Sequence, residues 1–266
     1  MYATTYHRAS SVDEAATLFG KGTEAKYLAG GQTLLPVMRQ RLASPSDVID
    51  LSRIKDMIGI AATGNGVEIK GATTHYDVAQ SGDVKKAIPG LAYLASVIGD
   101  PAVRYRGTIG GSLANNDPAA DYPAAVLALN ATVKTNKRTI AADEFFKGLF
   151  TTALQDGEII TAVSFPAAAK SGYAKFRNPA SRFALTAVFV AKSSGGDVRV
   201  AAVGASQNGV MRVSAIETAL KANWSAGALD NVKVPADGML SDIHGTADYR
   251  ANLVRVMAQR AVAAAG

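Results

Sequence analysis

Apolar residues first recur at helical spacing at Val12, Ala15, Ala16 and Phe19, between Ser11 and Gly20. Ser11 with Glu14 three residues on matches a capping box, and Gly20 suits a stop, so a short helix is predicted. A strand over 27–29 runs into Gly30 and Gly31, after which Leu34, Leu35, Met38 and Leu42 return to helical spacing until Pro45. Short apolar runs predict strands over 48–51 and 67–72, the second after the turn residues Gly64, Asn65 and Gly66. Leu91, Leu94, Ala95 and Ile98 stripe a helix over 89–98.

Residues 107–118 are rich in small and turn-forming types and predict a second glycine loop. Pro118 is expected to open the next helix, which carries Ala124, Leu127 and Ala128 and ends near Asn130. Strands are expected over 131–135 and 159–165. Residues 166–172 read as a linker and domain boundary. Strands follow over 173–177, 183–191 and 198–205, then a helix opened by Ser214 with Glu217 in a second capping box. The last helix presents Tyr249, Leu253, Val256, Met257 and Arg260 as a stripe. Strands outnumber a simple βαβ alternation, which predicts the α+β class.

Composition narrows the chemistry. The 266-residue chain has no cysteine, which excludes a thiolate nucleophile, Cys-ligated zinc and any iron–sulfur cluster of its own. His7, His75 and His244 stand far apart, so no metal site is expected. The 28 Lys and Arg against 22 Asp and Glu give a net charge of +6. The basic residues are scattered, which is the pattern of a solvated surface rather than of a nucleic-acid interface. Without an apolar signal core or a run of ~20 apolar residues, a cytoplasmic location with no membrane span is expected.

Paired glycines let backbone N–H groups approach an anion, and a following helix adds the positive end of its dipole. A single such pair is as often a tight turn or a close packing contact. Two of them, at Gly30-Gly31 and Gly110-Gly111, favour the two phosphates of a dinucleotide. Neither segment contains G-x-G-x-x-G, and no P-loop motif occurs, so nicotinamide sites of the Rossmann type are disfavoured. Flavin binding on another fold remains.

Ala29-Gly30-Gly31-Gln32-Thr33-Leu34-Leu35-Pro36 and Arg106-Gly107-Thr108-Ile109-Gly110-Gly111-Ser112, followed by Asp117-Pro118-Ala119-Ala120-Asp121, resemble the FAD-pyrophosphate loops of molybdenum hydroxylase medium subunits. The resemblance lies within the xanthine dehydrogenase family, nearest its aerobic carbon monoxide dehydrogenase branch. It extends over the whole chain, including Tyr173-Ala174-Lys175-Phe176 and Ser181-Arg182-Phe183-Ala184. It implies a two-lobed FAD-binding domain of the vanillyl-alcohol-oxidase type over 1–167, with lobes of about 1–55 and 56–167. A small C-terminal α+β domain with an antiparallel sheet would occupy 168–266.

The resemblance also implies roles. Ala29, Gly30, Gly31, Gln32, Thr33 and Leu34, with Thr108, Ile109, Gly110, Gly111 and Ser112, would hold the pyrophosphate. Asn115 and Asp121 would contact the ribityl region, Ile160 would pack near the flavin ring and Lys175 would approach its pyrimidine edge, where positive charge favours the reduced cofactor. Gln32-Thr33 stands where many members have His-Ser, so the FAD is expected to be non-covalent. No residue of this chain is expected to be catalytic. The implied function is electron transfer: from a molybdenum cofactor on a large partner subunit, through 2Fe-2S clusters on a small partner subunit, to FAD here and then to an external acceptor. The assembly implied is a dimer of heterotrimers, any membrane association being made through the complex. The rivals are a self-contained flavin oxidase or reductase and a FAD-free binding or assembly protein.

Three further residues or groups carry expectations. His75 is assigned a packing or capping role. Asp100, Arg104 and Arg106 are assigned to positioning the second loop by ion pairs, and Trp224 to a surface or subunit contact.

Overall fold

The computed structural model describes residues 1–265. Its first part is β1 (Thr5–Arg8), α1 (Val12–Phe19), β2 (Lys26–Leu28), α2 (Leu34–Arg39) and β3 (Asp47–Asp50). β1 and β2 flank β3 in a three-stranded parallel sheet. The α1 cap forms as expected, Ser11 accepting from the Glu14 N–H, but Glu14 reaches back to Ser10 rather than to Ser11. Ile49, Ala15, Ile54 and Ile159 make the small core beneath this sheet.

The chain continues through β4 (Ile60–Thr63), β5 (Gly66–Lys70), α3 (His75–Gln80), α4 (Gly82–Ala87), α5 (Pro89–Ser96), α6 (Pro101–Arg104), α7 (Ile109–Asn115) and α8 (Tyr122–Ala128). Then come β6 (Thr132–Thr135), β7 (Thr139–Ala141), α9 (Ala142–Phe145), β8 (Phe146–Gly148), β9 (Thr151–Thr152) and β10 (Ile160–Pro166). Five of these strands form an antiparallel sheet in the order β4-β5-β10-β6-β7.

The last part is β11 (Ala168–Arg177), β12 (Ala184–Ser193), β13 (Val198–Ser206), β14 (Gly209–Arg212), α10 (Ser214–Ala222) and α11 (Ala247–Ala264). The four strands make an antiparallel meander. Residues 184–191 are all buried because both faces of this sheet are covered. Ala187, Phe189 and Ala191 face the core shared with the five-stranded sheet and α8, whereas Val188 and Val190 face α10 and α11. Alternation of period two thus feeds two cores from one strand.

Several local expectations are corrected. Residues 166–172 are not a linker: β10 ends at Pro166 and β11 begins at Ala168. The second glycine segment is a helix start rather than a loop. Its successor opens at Tyr122 with Pro123 in the first turn, because Asp117 to Ala120 form a turn closed by the Ala120 N–H on the Asp117 carbonyl. Ser214 does not cap α10; Glu217 instead binds the Arg212 guanidinium and the Val200 N–H. In α11 the expected Leu253 and Met257 are buried, together with Arg250, Ala251, Val254, Ala258, Ala261 and Val262, while Val256 is half-buried and Tyr249 and Arg260 are exposed. Trp224 packs partly buried on the core under α11. No helix among the described residues is long and apolar enough to cross a membrane.

Candidate functional site

The two glycine segments lie side by side. A Cβ on Gly30 would overlap the Arg106 carbonyl, so glycine is required for the close approach of the two backbones. Gly31 sits in the left-handed region at φ +72° and turns the chain from β2 toward α2. The N–H groups of Gly30, Gly31, Gln32, Thr33 and Leu34 make no hydrogen bond to the described residues. No side chain caps α2 either. Five consecutive donors therefore need a partner from outside the chain, and an anion is the natural one.

In the second segment the donors are already used. The Ile109 N–H binds the Thr73 carbonyl at 3.2 Å, and the Gly110 N–H binds the Gly71 carbonyl at 2.9 Å. The Gly111 N–H binds the Thr108 hydroxyl at 3.1 Å, and the Ser112 N–H binds the Thr108 carbonyl at 3.0 Å. Its glycines serve close packing. A Cβ on Gly107 would come within 2.5 Å of His75 Nε2, and one on Gly110 within 2.6 Å of the Gly71 carbonyl. Gly111 differs, because its open side faces the cleft and a Cβ there would meet only Thr108 Oγ1 and Ala29 Cβ.

A cleft of about 1020 Å³ runs past both segments. It brings together Ala29, Gly30, Gly31, Gln32, Thr33, Leu34, Thr108, Gly110, Gly111, Ser112, Asn115, Asp121, Ile160 and Lys175. Ile109 is the exception. Its side chain is fully buried in the core beneath α7 and does not line the cleft.

Asp121 and Lys175 meet inside this cleft. Lys175 Nζ lies 2.9 Å and 3.0 Å from the two Asp121 carboxylate oxygens, and the Tyr173 hydroxyl donates to the same carboxylate. The side chains of Lys175 and Asp121 are only 3% and 5% exposed, so the pair is desolvated. Burial pushes the Asp121 carboxyl up, while Lys175 and then the Tyr173 hydroxyl oppose that shift. Burial and the Asp121 charge push the Tyr173 phenol up in turn. The sequence reading treats Asp121 and Lys175 separately; the fold pairs them.

The cleft has further walls to which the sequence motifs assign no role. Phe19 and Tyr27 stack at 4.8 Å and form a flat aromatic surface at one side. Burial raises the Tyr27 phenol to about 12, and its hydroxyl donates to the Gly157 carbonyl at 3.1 Å. Ser181, Arg182 and Phe183 stand at the rim, with Phe183 exposed and Arg182 at φ +62°. The Ser181-Arg182-Phe183-Ala184 run that shares in the family resemblance is the sequence signal for this rim. Phe19 was hidden because it also completes the apolar face of α1.

His75 has the packing role expected of it, while the capping is done by Thr74. Burial, with the Arg104 charge beyond, lowers its pKa to about 4, so the ring beneath Gly107 is neutral at neutral pH. Asp100 caps α6, and Arg104 binds the Ile98 and Gly99 carbonyls at 2.9 and 3.1 Å. Hydrogen bonds to backbone, rather than the expected ion pairs, therefore position the second segment.

A free donor row, an aromatic wall and a buried cation–carboxylate pair fit a ligand with phosphates and flat rings, as FAD has. The comparisons with known proteins agree. Residues 2–168 match the family described as "FAD binding domain in molybdopterin dehydrogenase". The nicotine 6-hydroxylase medium subunit of Paenarthrobacter nicotinovorans is 36% identical, over 99% of this chain and 98% of that protein. The carbon monoxide dehydrogenase medium chain of Hydrogenophaga pseudoflava is 34% identical, over 98% and 96%. A chain of reconstituted CO dehydrogenase from Oligotropha carboxidovorans superposes with a TM-score of 0.90 at 31% identity, over 99% of this chain and 97% of that one. With these matches running the length of both chains, the protein belongs to the family of FAD-binding medium subunits of molybdenum hydroxylases.

Proposed function

We propose that this chain carries FAD in the cleft and acts as the electron-transfer subunit of a molybdenum hydroxylase. In this reading it takes electrons from iron–sulfur clusters of a small partner subunit, fed by a large molybdenum-cofactor subunit, and passes them to an external acceptor. FAD, when bound, supplies reversible electron uptake. The observation that carries the reading is the row of five free N–H groups from Gly30 to Leu34 beside the buried Lys175–Asp121 pair. The absence of cysteine from the chain is consistent with the clusters residing on a partner.

The chain's own residues would bind and orient. The N–H row receives the pyrophosphate, and the Thr33 and Ser112 hydroxyls add donors beside it. Ile160 supplies an apolar contact to the ring, Asn115 a polar one to the ribityl chain, and Lys175 holds positive charge at the pyrimidine edge, fixed there by Asp121. Residues 1–167 would form the two-lobed vanillyl-alcohol-oxidase-type domain, a reading supported by separate sheets within 5–50 and 60–166, and 168–266 the C-terminal domain. A dimer of heterotrimers in the cytoplasm completes the proposal. Relatives named for nicotine, carbon monoxide and glyceraldehyde stand at 30–36% identity, so the substrate is assigned to the large subunit and not to this chain.

Purification under native conditions tests the proposal. Flavin absorbance with co-purifying molybdenum and iron is expected, whereas a FAD-loaded chain oxidising substrate unaided would contradict it. Lys175→Met leaves the buried Asp121 charge with only the Tyr173 hydroxyl as partner and is expected to cost about 3 kcal/mol of stability. Adding Asp121→Asn is expected to restore the melting temperature but not the affinity for FAD, as read by flavin titration.

A further inference from the structure

The carboxylate of Asp121 draws its hydrogen bonds from a single strand. Asp121 precedes α8 without capping it, and its two oxygens are met by the Tyr173 hydroxyl and by Lys175 Nζ, both from β11. Tyr173 and Lys175 are two residues apart, so the period of a strand puts them on one face. Tyr173 is fully buried, and its hydroxyl has no partner other than Asp121 among the described residues. Asp121 and Lys175 line the cleft, whereas Tyr173 stands behind them.

The strand is clamped just before these residues. A Cβ on Gly172 would overlap the Ala261 carbonyl of α11, and one on Gly90 of α5 would come within 2.9 Å of the Gly172 nitrogen. The Gly90 N–H donates to the Ser171 hydroxyl at 3.1 Å. Across the sheet Lys175 pairs with Ala187 and Tyr173 with Phe189, the rings of the second pair standing 6.2 Å apart. The phenol is thus held in place from both sides of β11 and aimed at a buried charge.

A carboxylate in a dry site stays ionised only while donors stabilise it, and an O–H to a charged acceptor is among the stronger hydrogen bonds. Without that hydroxyl, Lys175 would be the only donor on Asp121. Arg177 at the end of β11, Tyr93 of α5 and Tyr122 of α8 are the other titratable groups facing the Tyr173–Asp121 pair. Loss of the hydroxyl favours passage of a proton from Lys175 Nζ to the carboxylate, which leaves an amine, a carboxylic acid and less positive charge on the cleft wall.

Building on the reading of the cleft as a FAD site, we propose that Tyr173 is a positioning residue that sets the redox potential of the bound flavin through Asp121 and Lys175, without touching the cofactor. Its hydroxyl holds the carboxylate ionised, the carboxylate holds the Lys175 ammonium at the cleft wall, and the ammonium favours the reduced cofactor.

The test is the midpoint potential of the flavin in the complete enzyme, by spectroelectrochemical titration of wild type and Tyr173→Phe. The variant is expected to keep its flavin and to show a reduced-to-oxidised ratio tenfold lower at the same applied potential, a midpoint about 30 mV lower for the two-electron couple. Phe189→Leu loosens the same packing without touching the carboxylate, so it should lower the melting temperature and leave the midpoint where it is. In the Lys175→Met, Asp121→Asn background Tyr173 has no charge to act on, and adding Tyr173→Phe should change the ratio by less than about twofold. That background also serves if the single variant does not fold. An unchanged midpoint in flavin-loaded Tyr173→Phe overturns the proposal, as do equal shifts in Tyr173→Phe and Phe189→Leu or a full shift in the double-variant background. A wild-type complex that carries no flavin instead overturns the parent reading.

Discussion

The two glycine segments look alike in sequence and do different work. In residues 29–34 the glycines leave backbone donors free, and in residues 107–112 they let helix, strand and imidazole pack without a Cβ between them. The first leaves donors for the ligand proposed above, and the second packs tightly beside it. A Gly-Gly pair at a helix start is therefore not an anion site until its N–H groups have been accounted for.

Substitutions at the glycines would break or sharpen this contrast. Gly30→Ala strikes backbone at the junction of the two segments and should have the largest effect, about 3 kcal/mol of stability together with loss of bound FAD. Denaturant melts and flavin content check it. Acidification tests the supporting segment alone. The His75 pKa is about 4 in the fold and 6.5 unperturbed, so the unfolded chain binds the proton first. His75 thus contributes stability that is complete above pH 6.5 and declines as pH falls toward 4; in His75→Asn the decline over that window should be shallower.

Gly110→Ala should lower the melting temperature by the equivalent of about 2 kcal/mol, because the Gly71 carbonyl is backbone and cannot swing aside. Gly111→Ala should be the mildest for the fold, within about 0.5 kcal/mol, since a helical Gly→Ala change is intrinsically favourable. Its methyl would project into the cleft, so FAD affinity should still fall at least tenfold. Comparing these neighbouring variants by melting and by flavin titration separates support from binding.

Much of this was legible in the chain. The helix ends of α1 and the strands β3, β5, β12 and β13 follow from caps and periodicity, whereas the fifteen expected site residues, fourteen of which line the cleft, follow from the family resemblance. The failures have common physical causes. Ile109 sits in a glycine-rich motif, but the first turn of α7 points it into the core. The run at 166–172 has a linker's composition and yet is held by β12, because ladder hydrogen bonds override weak local propensity. The short α3, α4 and α6 carry too few turns for a periodic signal, and the α11 stripe, right at Leu253 and Met257, misses Arg250 because a buried arginine looks polar in sequence. That guanidinium is buried because it binds the Leu185 and Gly204 carbonyls and Asp242.

Residue-resolved amide hydrogen exchange, with and without FAD, tests the central claim most directly. The amides of Gly30, Gly31, Gln32, Thr33 and Leu34 should exchange freely without FAD and become protected when it binds, while those of Ile109 to Ser112 should be protected in both states. Protection gained by the second segment, with no change in the first, would contradict the account.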